Sequence, residues 1–484
     1  MKNILNFWNT IPGSLSLLAL SPAIGHANGI NKSPNFILFF VDDMGYGDLA
    51  CYGNKLNRTP NLDKLADEGV RFTDFYAGAP LCTPSRTGLL TGTYPVRNNM
   101  AVNYRGECVC FPVDEKGLNT DEITIAELLK KKNYSTAIIG KWHLGDQPVF
   151  LPTRQGFDYW FGIPYSNDTG EGWFKQRGSL QVYAQPPVPL MRNETIIEQP
   201  VVQNTLTQRY TTEAIKFIEG NTKKPFFLYY AHTMPHYPIS ASDGFLNKSK
   251  NGLYGDAIEE VDWSVGEIIN TLKKLKILEN TVVIFTSDNG APKFYKEASN
   301  GVLSGYKGSE MEGGNRVPMI VSWKGTLPEG KVSNGISSVL DFLPTIAHIT
   351  GIDLPHDRII DGKNIFELFF NPEKTESPHA WFAYYLMDQM KAIRMGDWKL
   401  HLPLDHYINM WGKDMGPAKA RLYDLKNDIG ETIDLSEQNP EKVKQLMVVA
   451  QMVRNWIGDR DKPTPNSRPA GFVEKPAPLL MKPN

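Results

Sequence analysis

Five short runs in this chain are apolar from end to end, without the alternation that marks a strand with one wet face. They are "NFILFFV" (35–41), "STAIIG" (135–140), "PFFLYYA" (225–231), "TVVIFTS" (281–287) and "VPMIVSW" (317–323). The first four stop against polar residues: Asp42-Asp43, Lys141 and His143, His232 and His236, and Asp288-Asn289. The fifth follows the glycine-rich "YKGSEMEGG" (306–314). Uniformly apolar strands are buried on both faces, as in a parallel sheet covered by helices. Amphipathic helical patterns lie between them, at 59–72, 124–133 and 255–277. Strands alternating with helices imply an α/β domain, in which ligands collect at the C-terminal ends of the strands. The polar clusters are therefore expected to share one site.

The pattern changes near "NPEKTESPH" (371–379). After it, "AWFAYYL", "KAIRMGDWKLHL" and "RLYDLK" read as short antiparallel strands, followed by a helix over 440–458 and a Pro- and Lys-rich tail laid over the surface. The expected organisation is a catalytic α/β domain over 33–370 and a smaller α+β subdomain, with antiparallel sheet, helix and tail, over 378–484. Residues 1–27 read as an export signal: Lys2, the apolar "SLSLLAL", then small residues with cleavage after Ala23 or Ala27. No later run reaches the ~20 apolar residues that span a bilayer. The mature protein is expected to be exported, periplasmic or secreted, with no membrane span. The segment from about 165 to 205 has little periodicity and shapes either a pocket or a surface loop. A formal net charge of −2 argues against a nucleic-acid partner but leaves room for a local cationic cluster. Four cysteines are too few for a disulfide scaffold. If Cys82 has a chemical role, at most one bridge can form among Cys51, Cys108 and Cys110, and the 108/110 spacing is awkward for a mutual bond.

In "LCTPSRTGLLTG" (81–92), Arg86 lies one helical turn beyond Cys82, and Pro84 suits a first turn. That puts Cys82 at a helix N-terminus, where anionic chemistry is favoured. The adjacent acids Asp42 and Asp43 repel each other unless a cation lies between them. With Asp288 and Asn289 they make three carboxylates and an amide oxygen, a hard donor set suited to Ca²⁺ or Mg²⁺. Calcium is favoured because Mg²⁺ keeps several waters. Lys141 and His143, two apart, can face one way from an extended chain. His232 and His236 have the spacing of helical zinc ligands, but Pro235 interrupts them and the zinc-protease Glu is missing, which argues against zinc. Lys307 lies among glycines that allow the backbone close to a ligand.

Taken together these segments resemble the sulfatase family, within the alkaline phosphatase superfamily. "CTPSR" with "TGLLTG" is similar to its Cys-x-Pro-Ser-Arg signature. "VDDMGYGDL", "GKWHLG", "GFDYWFGIPYSND" (156–168), "SDNG" and "EGGNRVP" match family blocks in family order, most like those of the arylsulfatase A and N-acetylgalactosamine-6-sulfatase branch. The resemblance implies a large, mostly parallel sheet flanked by helices, with a smaller C-terminal domain. It also implies that a maturation enzyme oxidises Cys82 to formylglycine, whose hydrated aldehyde is the nucleophile, with Arg86 holding it. One Ca²⁺ per chain would sit among Asp42, Asp43, Asp288, Asn289 and the modified residue 82. Lys141, His143, His236 and Lys307 would surround the sulfate, and His232 inherits no role. Attack by an anionic oxygen on a negatively charged ester needs such neutralising cations. The leaving alcohol would take a proton from His236 or Lys307. The second hydroxyl would lose one toward His143 as sulfate is expelled. The substrate expected is a sulfated carbohydrate attacked from a chain end, with Tyr104, Arg105, Asp168, Trp173 and His401 as candidate sugar contacts. A formylglycine phosphodiesterase or phosphonate hydrolase shares the nucleophile. A non-catalytic glycan-binding descendant should have lost Cys82, Arg86, Lys141 or His143, and all four are present.

Overall fold

The structure, a computed structural model, describes residues 33–169, 186–460 and 462–482. The expected export signal and Trp173 lie outside the described residues. From Pro34 on, the chain forms one compact unit around a ten-stranded sheet. Five neighbouring strands at its centre are parallel, in the order Thr281–Ser287, Asn35–Val41, Phe226–Ala231, Ser135–Gly140 and Tyr159–Gly162. Four of these are the apolar runs of the sequence, and every residue in those four is buried. The fifth run differs from expectation. Met319–Ser322 lies beside Thr281–Ser287 but antiparallel to it. An apolar run records burial of both faces and carries no information on direction.

Side chains alternate between two cores. Phe36, Leu38 and Phe40 join one, capped by the helices Cys82–Thr91, Ile125–Lys130 and Phe342–Thr350. Ile37, Phe39 and Val41 join the other, under Pro60–Asp67, Leu206–Gly220 and Gly252–Lys274. Helix boundaries follow local chemistry. Thr124 and Glu127 cap the Ile125–Lys130 helix reciprocally, each side chain accepting from the other's backbone N–H. Register then aligns the strand ends: Val41 pairs with Ser287, Phe40 with Ala231, and Gly140 with Ala231. Asp42, Asp288, His232 and Lys141 consequently leave the sheet at one edge.

The C-terminal part is a four-stranded antiparallel meander, Phe382–Leu386, Gln389–Met395, Trp398–His401 and Arg421–Asp424, packed on the helix Pro440–Ile457. The tail runs back over the main unit: Gly471–Phe472 pairs with Lys116–Gly117, and Arg468 meets Glu122 at 2.7 Å. All four cysteines are free thiols. Among the described residues, no helix is long and apolar enough to cross a membrane.

Candidate functional site

The helix carrying Cys82 begins where expected. Leu81 is extended and Cys82 is the first helical residue; Gly92, left-handed at φ 66°, ends the helix. All ten residues between them are buried, so the helix is set within the protein with its N-terminus at the strand ends. Arg86, one turn on, is fully buried. Its Nη2 donates to Asp288 Oδ2 at 2.8 Å and lies 3.4 Å from Asp42 Oδ2, while Nη1 donates to the Lys141 carbonyl at 3.2 Å. Phe40 covers one face of the guanidinium, 5.4 Å from its ring centre.

Around the Cys82 sulfur, Lys307 Nζ and Asp42 Oδ1 each lie at 3.4 Å and Asn289 Oδ1 at 3.6 Å. Lys141 Nζ donates to Asp42 Oδ2 at 2.5 Å, and Lys307 Nζ to Asp43 Oδ1 at 2.6 Å. Asn289 Nδ2 also donates to Asp43 Oδ1, at 2.7 Å. Two site residues have left-handed backbones without being glycine, Asp43 at φ 64° and His143 at φ 61°. Gly140, just before Lys141, permits the tight approach there: a Cβ would collide with the Ala231 carbonyl.

The histidines take complementary roles. His143 Nε2 donates to the Cys110 carbonyl at 3.0 Å, which leaves Nδ1 as a bare acceptor, and Nδ1 has no partner. Burial, reinforced by Lys141 and Arg86, pushes its pKa well down, so the ring is neutral. His236 Nδ1 donates to the Tyr237 carbonyl at 2.7 Å, turning Nε2 toward Asp43 at 3.6 Å. Its pKa is lowered by burial and then by Lys307. His232 is buried against Tyr230, ring centres 4.2 Å apart, and is held to about 3 by burial alone.

Burial would raise Asp42, but Lys141, His236, Arg86 and Lys307 together hold its carboxyl well below the usual range. Asp288 is pushed up to about 7 by burial and by the Asp42 charge. Asp43 Oδ2 is buried without a hydrogen-bond partner, and Asn289 Oδ1 has only the sulfur near it. Asp42, Asp43, Cys82 and His236 can each offer a ligand atom within 4.8 Å of the others. The carboxylates of Asp42 and Asp43 in this cluster are oxygen donors suited to a hard divalent cation, with the Asn289 amide oxygen beside the same sulfur, while the Asp288 oxygens accept from the Asp43 amide and from Arg86.

The structure brings together every residue expected around this centre. Tyr104 is 57% exposed on a loop, Arg105 lies 3.9 Å from Glu115, and Asp168 is half-buried. His401 is buried, with Nε2 2.7 Å from Glu431 and Nδ1 3.3 Å from Glu310, so neither nitrogen is left for a sugar. It belongs to a buried network in which Lys399 Nζ joins Glu312, Glu431 and the Glu310 carbonyl at 2.9–3.0 Å. This network ties the C-terminal sheet to the loop that carries Lys307. Sequence reasoning missed Ser166 and Asn167. Ser166 Oγ lies 3.3 Å from Lys141 Nζ and 3.5 Å from the His236 ring; Asn167 Oδ1 lies 2.9 Å from His236 Nδ1. Both sit in the "YSND" end of the 156–168 block, which was their only signal.

The family model described as Sulfatase matches residues 34–352. The chain is 39% identical over 475 residues to N-acetylgalactosamine-6-sulfatase of Canis lupus familiaris, covering 90% of this chain and 88% of that protein. It is 38% identical to the steryl-sulfatase of Homo sapiens, covering 78% and 76% respectively. The solved structure of Ps i-CgsB in complex with k-i-k-neocarrahexaose superposes with a TM-score of 0.73 at 32% identity, over 89% of this chain and 94% of that one. With the Sulfatase model matched over residues 34–352 and these relatives matched along most of their length, the chain belongs to the sulfatase family.

Proposed function

We propose that this sulfatase removes sulfate from a sulfated carbohydrate, from a chain end, with Cys82 converted to formylglycine and one Ca²⁺ held by Asp42, Asp43, Asp288 and Asn289. The observation that carries the reading is the Cys82 thiol itself. It sits at a helix N-terminus with Lys307 and Asp42 at 3.4 Å, and burial, then Asp288 and Asp42, push its pKa well up, so as a plain thiol it is a poor nucleophile there. The converted residue and the metal, when present, supply an oxygen nucleophile and a Lewis acid.

The remaining roles belong to the chain's own side chains. Arg86, Lys141 and Lys307 balance Asp42, Asp43 and Asp288 at three charges each, so a divalent ion leaves the pocket positive and receptive to a sulfate ester. Lys141 and Lys307 lie where charge on the transferring group needs stabilising. His236 or Lys307 gives the proton to the leaving alcohol. His143 Nδ1, neutral and unpartnered, accepts one. Arg86 orients residue 82 from one helical turn below. Residues 33–370 are read as the catalytic part and 378–484 as a supporting subdomain. The protein is read as exported, matured by a formylglycine-generating enzyme. A relative named for a sulfated amino sugar and a solved neighbour holding an oligosaccharide support a carbohydrate substrate.

Protein from a host with the maturation machinery should carry an aldehyde at position 82 by peptide mass spectrometry. It should release sulfate from defined sulfated mono- and oligosaccharides, faster than it cleaves the matching phosphonate ester. Full activity in Cys82→Ala would end this reading.

A further inference from the structure

The C-terminal part sends one hairpin back to the mouth of the site. Its strands close through Leu404 and Ala418, each donating to the other's carbonyl at 3.0 and 2.8 Å, and its tip, 409–413, is held by its own backbone hydrogen bonds, Asn409 N–H to the Lys413 carbonyl at 2.9 Å and Gly412 N–H to the Asn409 carbonyl at 3.0 Å. Asn409 Oδ1 accepts from the backbone of Trp411 at 2.9 Å and of Lys413 at 3.0 Å. Three contacts fix where that tip sits. The Met410 sulfur fills the space beside Gly308, which is left-handed at φ 79° and adjoins Lys307. Met410 and Tyr407 pack on the small cluster of Leu81 and Cys108, and Leu81 adjoins Cys82. Tyr407 also donates to Glu310 at 2.6 Å. On its other side, Gly412 approaches the Gly106 carbonyl, with its Cβ position 3.5 Å away.

Met410 therefore takes the inner position, against the loop of Lys307, and Trp411 the outer one. Trp411 is 60% exposed and Tyr104, on the loop that Gly412 touches, is 57% exposed. A large indole left mostly in water on a braced turn forfeits much of the burial that ordinarily stabilises tryptophan. Aromatic faces of this kind suit the C–H face of a pyranose, with the ring hydroxyls still in water. Lys413 at the same tip adds a positive charge for an anionic glycan.

We propose that Trp411, with Tyr104 across the touching loop, is a stacking platform for the saccharide unit next to the sulfated one. It makes Trp411 the residue that distinguishes a sulfated oligosaccharide from a sulfated monosaccharide. This rests on the carbohydrate reading above. The test compares kcat/KM on a panel of sulfated monosaccharides, the di- and trisaccharides that carry the same sulfated end unit, and an aryl sulfate. Trp411→Ala should lower the oligosaccharide-to-monosaccharide ratio about ten-fold or more, and Trp411→Phe should keep it within about three-fold. Trp456→Ala, which removes another exposed indole far along the chain on the Pro440–Ile457 helix, should leave the ratio unmoved. A ratio that stays within about two-fold in Trp411→Ala, with saccharides turned over, overturns the platform alone. Wild-type turnover of the aryl sulfate with no saccharide turned over overturns the carbohydrate reading and the platform with it.

Discussion

Replacing Lys399 with methionine keeps an unbranched side chain, one atom shorter, and removes one ammonium from a fully buried cluster. Its Nζ is 3.0 Å from Glu312 and 2.9 Å from Glu431, and none of the three side chains is exposed. Glu312 would keep Arg316 at 3.3 Å and two tyrosine hydroxyls, Tyr76 and Tyr384, at 2.7 Å. Glu431 would keep only His401 and the Glu312 amide, both at 2.7 Å. Stranding a buried charge in this way costs about 3–5 kcal/mol. Unfolding entropy of ~2.1 cal/mol/K per residue, over roughly 450 residues, gives ~0.95 kcal/mol/K, so Tm should fall by about 3–5 °C. Adding Glu431→Gln removes the stranded charge, and the double variant should recover ~1–3 kcal/mol relative to additivity. Scanning calorimetry on the single and double variants reads both numbers. Turnover should fall as well, because the Glu310 carbonyl that Lys399 holds lies three residues from Lys307. A cost below about 1 kcal/mol, or strict additivity in the double variant, would refute the argument that this ammonium neutralises both acids.

Arg86→Lys should cost about 10²-fold or more in kcat, because a lysine cannot reach Asp288, Asp42 and the Lys141 carbonyl together; steady-state kinetics would decide it, and a loss under about three-fold contradicts the role. Chelation should abolish activity and Ca²⁺ should restore it, whereas Asp43→Asn should bind calcium weakly by elemental analysis; stoichiometric zinc in the native enzyme would count against the oxygen-donor reading. In acid, Glu310 contributes in one direction. Burial would raise its pKa, but His401 and Tyr407 hold it at about 2, against 4.5 when unfolded. The stability it adds, of order 3 kcal/mol, is therefore complete above about pH 4.5 and lost as pH falls toward 2. Glu310→Gln should flatten that part of the stability curve, read by circular dichroism across pH 2–6, and an unchanged acid limb would contradict it.

Much of this was legible before any coordinates. Strands buried on both faces must be apolar throughout, and a parallel sheet delivers their ends to one edge, so Asp42, Lys141, His236 and Asp288 could be grouped from pattern alone. Direction was not legible: Met319–Ser322 is as apolar as its neighbours yet runs the other way. Lys307 stood out only through resemblance, since a lysine among glycines is ordinarily a surface residue. Ser166 and Asn167 carry no chemistry that sequence can distinguish from a turn. His401 was one of the candidate sugar contacts, but its partners Glu310 and Glu431 lie 91 and 30 positions away and come together only in the fold.

The burial of Cys82 also has a consequence in time. Its side chain is almost wholly enclosed, and two of its neighbours, Asn289 and Lys307, lie 207 and 225 residues further along the chain. During synthesis, at ~5–20 residues per second, "CTPSR" would precede Lys307 by about 10–45 s. For most of that interval, until Ser287 is made, the central sheet cannot close, because Asn35–Val41 still lacks its partner Thr281–Ser287. On the proposed reading, an enzyme that converted Cys82 would have this interval in which to find it, on an extended or partly folded chain, and the closing of the sheet would end the opportunity.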